Sequence, residues 1–375
     1  MTGPSARTAA GRATLDSVAA LAGVSKQTVS NVLNSPQLVR AETASRVTAA
    51  IAQLDYRPHR AAQQLRTRRS RVLGLRVETN YGDAVFDRFL HALTAATNAL
   101  DYRLMLYTAD SDAAEIQAYG ELVDRWDVDG FILTGTHPGD RRTAHLAAAD
   151  IPCVTFGRPW DESDHHAWVD VDGAAGTRAA TEHLLERGHH RIGFLGWPAG
   201  SGVGDNRLSG WADAMRAAGH PLPEPSRAVN DVVHGRSAAA ELLDRAAPTA
   251  VVCASDVLGL GVMAEIAARG GKVGHDVAVV GFDDTDIGQV SGLSSLTQPL
   301  VDVALHSARM IAALLDGSAP DAAEQVLLPP TLVVRSSSEQ PRQHPAPPAT
   351  APTASLPSNR ASSPRRNRTT QGEIA

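Results

Sequence analysis

The stretch Thr14-Leu-Asp-Ser-Val-Ala-Ala-Leu-Ala-Gly-Val-Ser-Lys-Gln-Thr-Val-Ser-Asn-Val-Leu-Asn34 reads as two short helices separated by a sharp turn. Thr14 can cap the first helix, and Asp16 puts a negative charge in its first turn, where the helix dipole favours it. Leu15, Val18, Ala19 and Ala22 recur at helical spacing and so share one face. Gly23 ends that helix because glycine adopts left-handed backbone at no steric cost, and Ser25 caps the next. In the second helix Val29, Val32 and Leu33 face inward, which turns Lys26, Gln27, Ser30 and Asn31 outward. A third helix over 41–54 supplies Ala44, Val47, Ile51 and Leu54 as its packing stripe.

Two short helices joined by a tight glycine turn, with a third behind, make a helix-turn-helix whose second helix fits the major groove of DNA. The outward residues suit that task. Lys26 can donate to guanine, and Gln27 and Asn31 can each pair bidentately with adenine. Ser25, Thr28 and Ser30 offer donors for phosphates. The alternative is the solvated face of a three-helix bundle, and the distribution of charge weighs against it. Residues 1–71 hold eleven basic residues against three acids, a net charge of +8, whereas the whole chain carries −6, so the other 304 residues carry −14. A basic terminal segment on an acidic body is the pattern of a polyanion reader, because each neutralised phosphate releases condensed counterions.

Pro58 opens an Arg-rich connector, 58–71, in which Ala61, Ala62 and Leu65 form a short helical stretch. One or two turns are marginal alone in water. The segment can fold against DNA with Leu65 wedged between base steps of the minor groove, or it can be a plain linker.

From residue 72 to about 338, apolar runs alternate with amphipathic stretches. The runs at 72–77, 103–107, 130–133, 153–156, 191–195, 250–253 and 277–282 suit buried strands; the stretches at 86–100, 173–187, 207–218 and 258–269 suit helices. Such alternation predicts parallel sheets with ligands beyond the carboxyl ends of their strands. About 265 residues is large for one such sheet, so two lobes with a cleft between them are expected. The flanks, 1–13 and 339–375, are polar and aperiodic and read as disordered tails. No apolar run approaches the ~18–20 residues needed to cross a bilayer, and the N-terminus lacks the apolar core of a secretory signal, so a cytoplasmic protein with no membrane partner is expected.

Catalytic signatures are weak. Gly200-Ser-Gly-Val-Gly204 lacks the dinucleotide spacing, and Gly270-Gly-Lys-Val273 lacks the Ser/Thr of a phosphate loop. Cys153 and Cys253 lie inside apolar runs, where a thiol is inert filler. The pairs His165-His166 and His189-His190 match no zinc spacing. The expectation is a binding protein with no catalytic residues, metal or cofactor; a nicotinamide-dependent oxidoreductase is the rival reading.

The run 14–34, the exit Asp55-Tyr-Arg-Pro58 and the segment Ala62-Gln-Gln-Leu65 resemble the LacI/GalR family of bacterial repressors. Ala22-Gly-Val-Ser25, two further residues, then Thr28-Val-Ser30 match the family's pattern, and the similarity extends to about 338. The resemblance implies an N-terminal all-α helix-turn-helix followed by an α/β, two-lobed, periplasmic-binding-protein-like effector domain. It implies the divisions 14–57 (DNA reader), 58–71 (hinge) and 72–338 (effector and dimerisation domain). Lobe one would comprise about 72–168 with 298–325, and lobe two about 169–297 with 326–338. It further implies a homodimer on a palindromic operator, with Leu65 inserted at its centre. Many members carry Arg where this chain has Asn31, so an altered half-site is expected.

The same resemblance points to the cleft. Arg207, Asp283 and Phe86 stand where family positions touch effector, with Ser255, Asp256, Thr134 and Glu78 as weaker correspondences. A guanidinium and carboxylates converging in a cleft suit a polyhydroxylated ligand, and an aromatic ring can stack on a sugar's apolar face. Arg158 either joins them or braces the loop between lobes. A carbohydrate effector is expected.

Overall fold

The computed structural model describes residues 13–56, 69–77, 84–160, 166–318 and 324–340. Its first unit is built on caps. Thr14 accepts from Ser17 N, and Ser17 reaches back to the Thr14 backbone, so helix α1 (Leu15–Ala22) opens with a capping box. Gly23, at φ 63°, closes it in the left-handed conformation expected of glycine there. Ser25 caps α2 (Lys26–Asn34), and α3 (Ala41–Gln53) lies behind both. Val18, Ala19, Ala22, Val29, Val47 and Ala50 form the core, joined by Tyr56. Tyr56 belongs to this core rather than to the connector, its N–H donating to the Ile51 carbonyl.

The rest of the described chain holds two six-stranded sheets. The first runs β11-β5-β4-β3-β1-β2, with β1 (Val72–Arg76), β2 (Arg103–Tyr107), β3 (Gly130–Leu133), β4 (Cys153–Phe156), β5 (Ala167–Val171) and β11 (Gln325–Leu328) all parallel. The second runs β12-β10-β9-β8-β6-β7, with β6 (Ile192–Gly196), β7 (Ser226–Arg227), β8 (Ala250–Cys253), β9 (Ala278–Phe282) and β10 (Ser294–Thr297) parallel. Only β12 (Thr331–Val333) is antiparallel. Every residue of β3, β6, β8 and β9 is buried, which is why these strands read as unbroken apolar runs. Cys153 and Cys253 are buried and unbridged, and no helix among the described residues is long and apolar enough to cross a membrane.

Three crossings join the lobes: between β5 and helix α7 (Gly173–Glu186), between β10 and α12 (Leu300–Asp316), and between β11 and β12. These positions correct the expected boundaries. β5 belongs wholly to the first sheet, so the chain leaves lobe one after Val171 rather than at 168/169. β11 is also in the first sheet, so the last return falls after Leu328 rather than at 325/326. In β5 Asp170 interrupts the apolar residues, and in β11 a run of only three follows Gln325. Most of the expected tails and connector falls outside the described residues, at 1–12, 57–68 and 341–375, as does Leu65.

Close approach at the first crossing depends on small residues. A Cβ on Gly176 would lie 2.6 Å from Pro330 Cγ, and one on Gly173 would lie 2.9 Å from Arg207 Cγ. A Cβ on Gly210, in helix α8 (Val203–Ala217), would run into the Ala174 carbonyl oxygen of the facing α7. Gly210→Ala should therefore force the α7–α8 pair apart, at about 1–3 kcal/mol. Calorimetry should show a lower melting temperature, and an unchanged one would contradict this packing.

Candidate functional site

Helix α2 presents its polar face at the protein surface. Ser25 Oγ accepts from Thr28 N at 3.1 Å and lies 2.9 Å from Thr28 Oγ1, so Ser25 and Thr28 hold each other. Gln27 Nε2 donates to Asn31 Oδ1 at 2.9 Å, one helical turn on, which fans two amide groups along the same edge. Lys26 Nζ sits 2.5 Å from Asp16 Oδ1, both side chains well exposed; such a surface pair is weak and gives way readily to a stronger anion. Ser30 is half-buried on the same helix. Backbone caps and side-chain donors thus converge on one edge, as a major-groove reader requires.

The second constellation lies where the carboxyl ends of both sheets meet the crossings. Arg207, on the first turns of α8, is buried. Its Nη1 donates to the Ala254 carbonyl at 2.5 Å and lies 3.6 Å from Asp283 Oδ1. The guanidinium stands 3.6 Å over the Phe282 ring and 5.0 Å from that of Trp197. Burial pulls its pKa below the ordinary arginine value, against the attraction of Asp283, Asp170 and Asp256. An arginine stays charged regardless, so this is a cation held at a cost. Two donors here, Arg207 Nε and Trp197 Nε1, have no hydrogen-bond partner among the described residues. A buried donor left unmade costs about 1–3 kcal/mol. A ligand oxygen would remove that cost.

The other expected contacts divide. Asp283 Oδ1 accepts from Gln298 Nε2 at 2.7 Å, at the crossing into α12, and remains the carboxylate nearest Arg207. Phe86 packs at the edge of the core on helix α4 (Ala84–Ala99). Asp256, the first residue of α10 (Asp256–Ala268), has both oxygens occupied: Ser295 Oγ donates to one at 2.5 Å, and Thr285 N and Oγ1 donate to the other at 2.7 and 2.9 Å. Burial raises its pKa against those three donors. It therefore braces the 283–288 turn and offers a ligand nothing. Ser255 caps α10 and donates to Asn230 Oδ1 at 2.6 Å, so it too is engaged. Arg158 Nε donates to Asp170 Oδ2 at 2.5 Å, and its guanidinium lies over Trp160; it braces the end of β5. Glu78 lies outside the described residues. Trp197 and Gln298 carry no motif of their own in the sequence, although Trp197 stands two residues past the apolar run at 191–195 and directly follows β6.

Thr134 is held by a charged cluster beneath the rim of lobe one. Buried Arg142 donates to the Thr134 carbonyl at 3.0 Å and to Asp140 and Glu115 at 2.7 and 3.1 Å. Arg76 joins Glu115 at 2.6 Å and Asp112 at 3.3 Å. His137 Nδ1 faces the Pro138 carbonyl at 2.9 Å and Nε2 faces Asp112 Oδ2 at 2.7 Å. Both partners only accept, so the ring donates from both nitrogens and is a cation in this geometry. The Pro138 carbonyl, then Asp112 and Asp140, raise its pKa against partial burial. Asp112, His137 and Asp140 form the one group of metal-type donors among the described residues, with ligand atoms within 4.8 Å of one another. With His137 protonated, three cations already balance the carboxylates of Asp112, Glu115 and Asp140. A divalent ion would have to enter beside Arg76 and Arg142, so a proton suits the cluster better.

The chain matches the sequence pattern of bacterial regulatory proteins of the lacI family over residues 14–59, and that of a periplasmic binding protein-like domain over 181–338. It is 34% identical over 336 residues to the HTH-type transcriptional regulator CelR of Thermobifida fusca, covering 87% of this chain and 98% of that protein. Among solved structures it is similar to a transcriptional regulator CelR–cellobiose complex (32% identity, TM-score 0.66, 87% and 100% of the two chains). It is also similar to a Lac repressor dimer bound to operator and the anti-inducer ONPF (28% identity, TM-score 0.72, 88% and 99%).

The His137 cluster makes lobe one sensitive to pH with a defined sign. Because the folded-state pKa is raised, the stabilisation is complete below the ordinary imidazole value of about 6.5 and is lost as pH rises through the raised one. The melting temperature of the native protein should fall across that window, and His137→Gln should flatten the fall. Parallel pH profiles for the two proteins would rule this out.

Proposed function

Because the chain belongs to the lacI family of bacterial regulatory proteins, we propose that it is a cytoplasmic transcriptional repressor that reads a palindromic operator as a homodimer and responds to a carbohydrate in its cleft. The observation that carries the ligand half is the buried Arg207–Asp283 pair with two unpartnered donors beside it. A sugar hydroxyl both accepts and donates, so one ring can satisfy Arg207 Nε and Trp197 Nε1 while donating to Asp283. Phe86 and Trp197 supply the aromatic surface. The CelR–cellobiose complex, similar over most of the chain, supports the same class of ligand.

The DNA half rests on α2, with Gln27 and Asn31 reading bases and Lys26, Ser25, Thr28 and Ser30 holding phosphates. Exposed apolar side chains on lobe two, Val233 at 77% and Val290 at 86%, support pairing of subunits, as does the dimeric state of the Lac repressor structure. A repressor of this kind works by differential affinity: ligand must bind one arrangement of the lobes better than the other to move operator affinity at all.

Selection of bound fragments from random duplexes, with cellobiose and then a panel of other sugars added, tests the whole reading. A mirrored site enriched alone and lost or changed with one sugar is the expected result; no enrichment over scrambled competitor would refute it. Arg207→Ala should weaken sugar response about 10- to 100-fold, the loss of charged hydrogen bonds worth about 1.5–3 kcal/mol, while operator affinity without sugar holds. Gln27→Ala should cost about 1–3 kcal/mol of operator affinity and relax preference at one base position per half-site. Uniform weakening across all sequences would instead assign Gln27 to phosphate.

A further inference from the structure

Lobe one reaches across to lobe two at the backbone of the turn that carries Asp283. Arg88, on α4 of lobe one, directs Nη2 to the Asp283 carbonyl at 2.8 Å and Nη1 to the Asp284 carbonyl at 3.0 Å. These two carbonyls belong to consecutive residues at φ 109° and φ 50°, the left-handed region that side-chain-bearing residues rarely enter. Gln289 Nε2 also donates to the Asp284 carbonyl at 3.1 Å, and Arg335 Nη2 lies 2.7 Å from Asp284 Oδ1, but both belong to lobe two. For the Asp283 carbonyl, Arg88 is the donor that comes from the opposite lobe.

A second approach crosses the same cleft. The Trp160 indole, on the lobe-one loop after β4, donates Nε1 to the Thr136 carbonyl at 3.2 Å. Its ring lies against Gly202 at the start of α8, where an added Cβ would be 2.7 Å from ring carbons. Gly202 itself is at φ 54°. Trp160 is thus shielded by lobe two only while the lobes are together.

We propose that Arg88 is a positioning residue that couples the ligand contact at Asp283 to closure of the lobes; this rests on the reading of the cleft as the ligand site. With the lobes together, Arg88 holds the Asp283–Asp284 turn in its left-handed form, and that turn aims the Asp283 carboxylate at Arg207. When the lobes part, the Asp283 carbonyl loses the guanidinium while Gln289 and Asp256 keep hold of the turn beyond it, so the loosening falls on Asp283 and its carboxylate loses its aim. Ligand on Asp283 therefore favours the latched state, and the latched state favours ligand, by the reciprocity that links any two coupled events.

The test uses the full-length protein and needs no ligand for its first arm. Acrylamide quenching of Trp160, isolated by comparing each protein with its Trp160→Phe counterpart, reports whether lobe two covers the indole. Arg88→Ala should make Trp160 about twofold more quenchable with the melting transition still cooperative. Arg88→Lys, which can keep one of the two carbonyl bonds, should fall between it and the native protein, a graded rescue that a general packing defect does not give. If Arg88→Ala does not fold, Arg88→Lys against the native protein decides the matter, with Gly202→Ala, which pushes a methyl into the indole, as the control for an opened cleft. Equal shielding in folded native and Arg88 variants would overturn the proposal. In the second arm, the sugar that binds the native protein, tried first as cellobiose, should bind Arg88→Ala about tenfold more weakly; an unchanged affinity also overturns it. A panel in which no sugar binds the native protein would count against the carbohydrate reading and leave the quenching arm to decide the latch.

Discussion

A buried guanidinium with too few partners organises the cleft. Removing Arg207 from water costs several kcal/mol by any account of ion desolvation, and the protein returns only part of it: one carbonyl, one carboxylate at 3.6 Å and the face of Phe282. The surrounding sequence is shaped to keep the side chain there all the same. Gly173 leaves room for its methylenes, and Gly210 lets α8 press close enough to α7 that the residue cannot withdraw to the surface. Two of the lobe crossings come close to it: Gly173 lies against its side chain, and Gln298 donates to Asp283, its carboxylate partner. A cation kept short of hydrogen bonds beside a hinge is the feature on which the proposed ligand contact rests.

Lobe one solves a similar problem in the opposite way. Arg142 is just as buried, yet each of its nitrogens has an acceptor, and its neighbours balance it charge for charge once His137 is protonated. Satisfied networks of this type rigidify what they hold. Here they hold the 134–140 loop, whose Thr136 accepts from Trp160 through its carbonyl and donates to the Arg158 carbonyl through its hydroxyl. One wall of the cleft is thereby fixed, and the other is left wanting.

The elements legible in the sequence were those where local chemistry and burial agree. Gly23 and Ser25 marked a turn and a cap that the backbone adopts as expected, and β3, β6, β8 and β9 are buried on both faces and so read as plain apolar runs. β5 and β11 escaped because each is short and touched by a polar residue: Asp170 interrupts β5, and Gln325 opens β11, the edge strand of its sheet. Arg207 was legible as a polar residue opening a helical stretch, and Asp283 as one just past a strand. Asp256 was equally conspicuous, but only tertiary structure shows that Ser295 and Thr285, remote in sequence, use up its oxygens. Arg88 was invisible for the converse reason: its partners are backbone carbonyls nearly two hundred residues away, and an exposed-looking arginine on an amphipathic helix carries no local sign of them.

How a ligand in the cleft reaches the DNA reader follows from where the chain is tied. Among the described residues the helix-turn-helix has its own core and shares no buried residue with the lobes. Where the chain re-emerges, Ser70 N and Arg71 N both donate to the Asp129 carboxylate, at 2.9 and 2.7 Å, and Arg69 pairs with Asp316 on α12. All of these anchors are on lobe one. Motion of lobe two relative to lobe one therefore leaves these described anchors within a subunit unchanged. In the proposed homodimer, lobe two as part of the pairing surface gives such motion a route to the reader: rotating it against lobe one changes the spacing of the two lobe-one anchors, and with it the spacing of the two copies of α2. Half-site spacing is a strict geometric requirement for a dimeric reader, so even a small rotation translates into operator affinity. The latch at Arg88 sits on the one boundary that has to move.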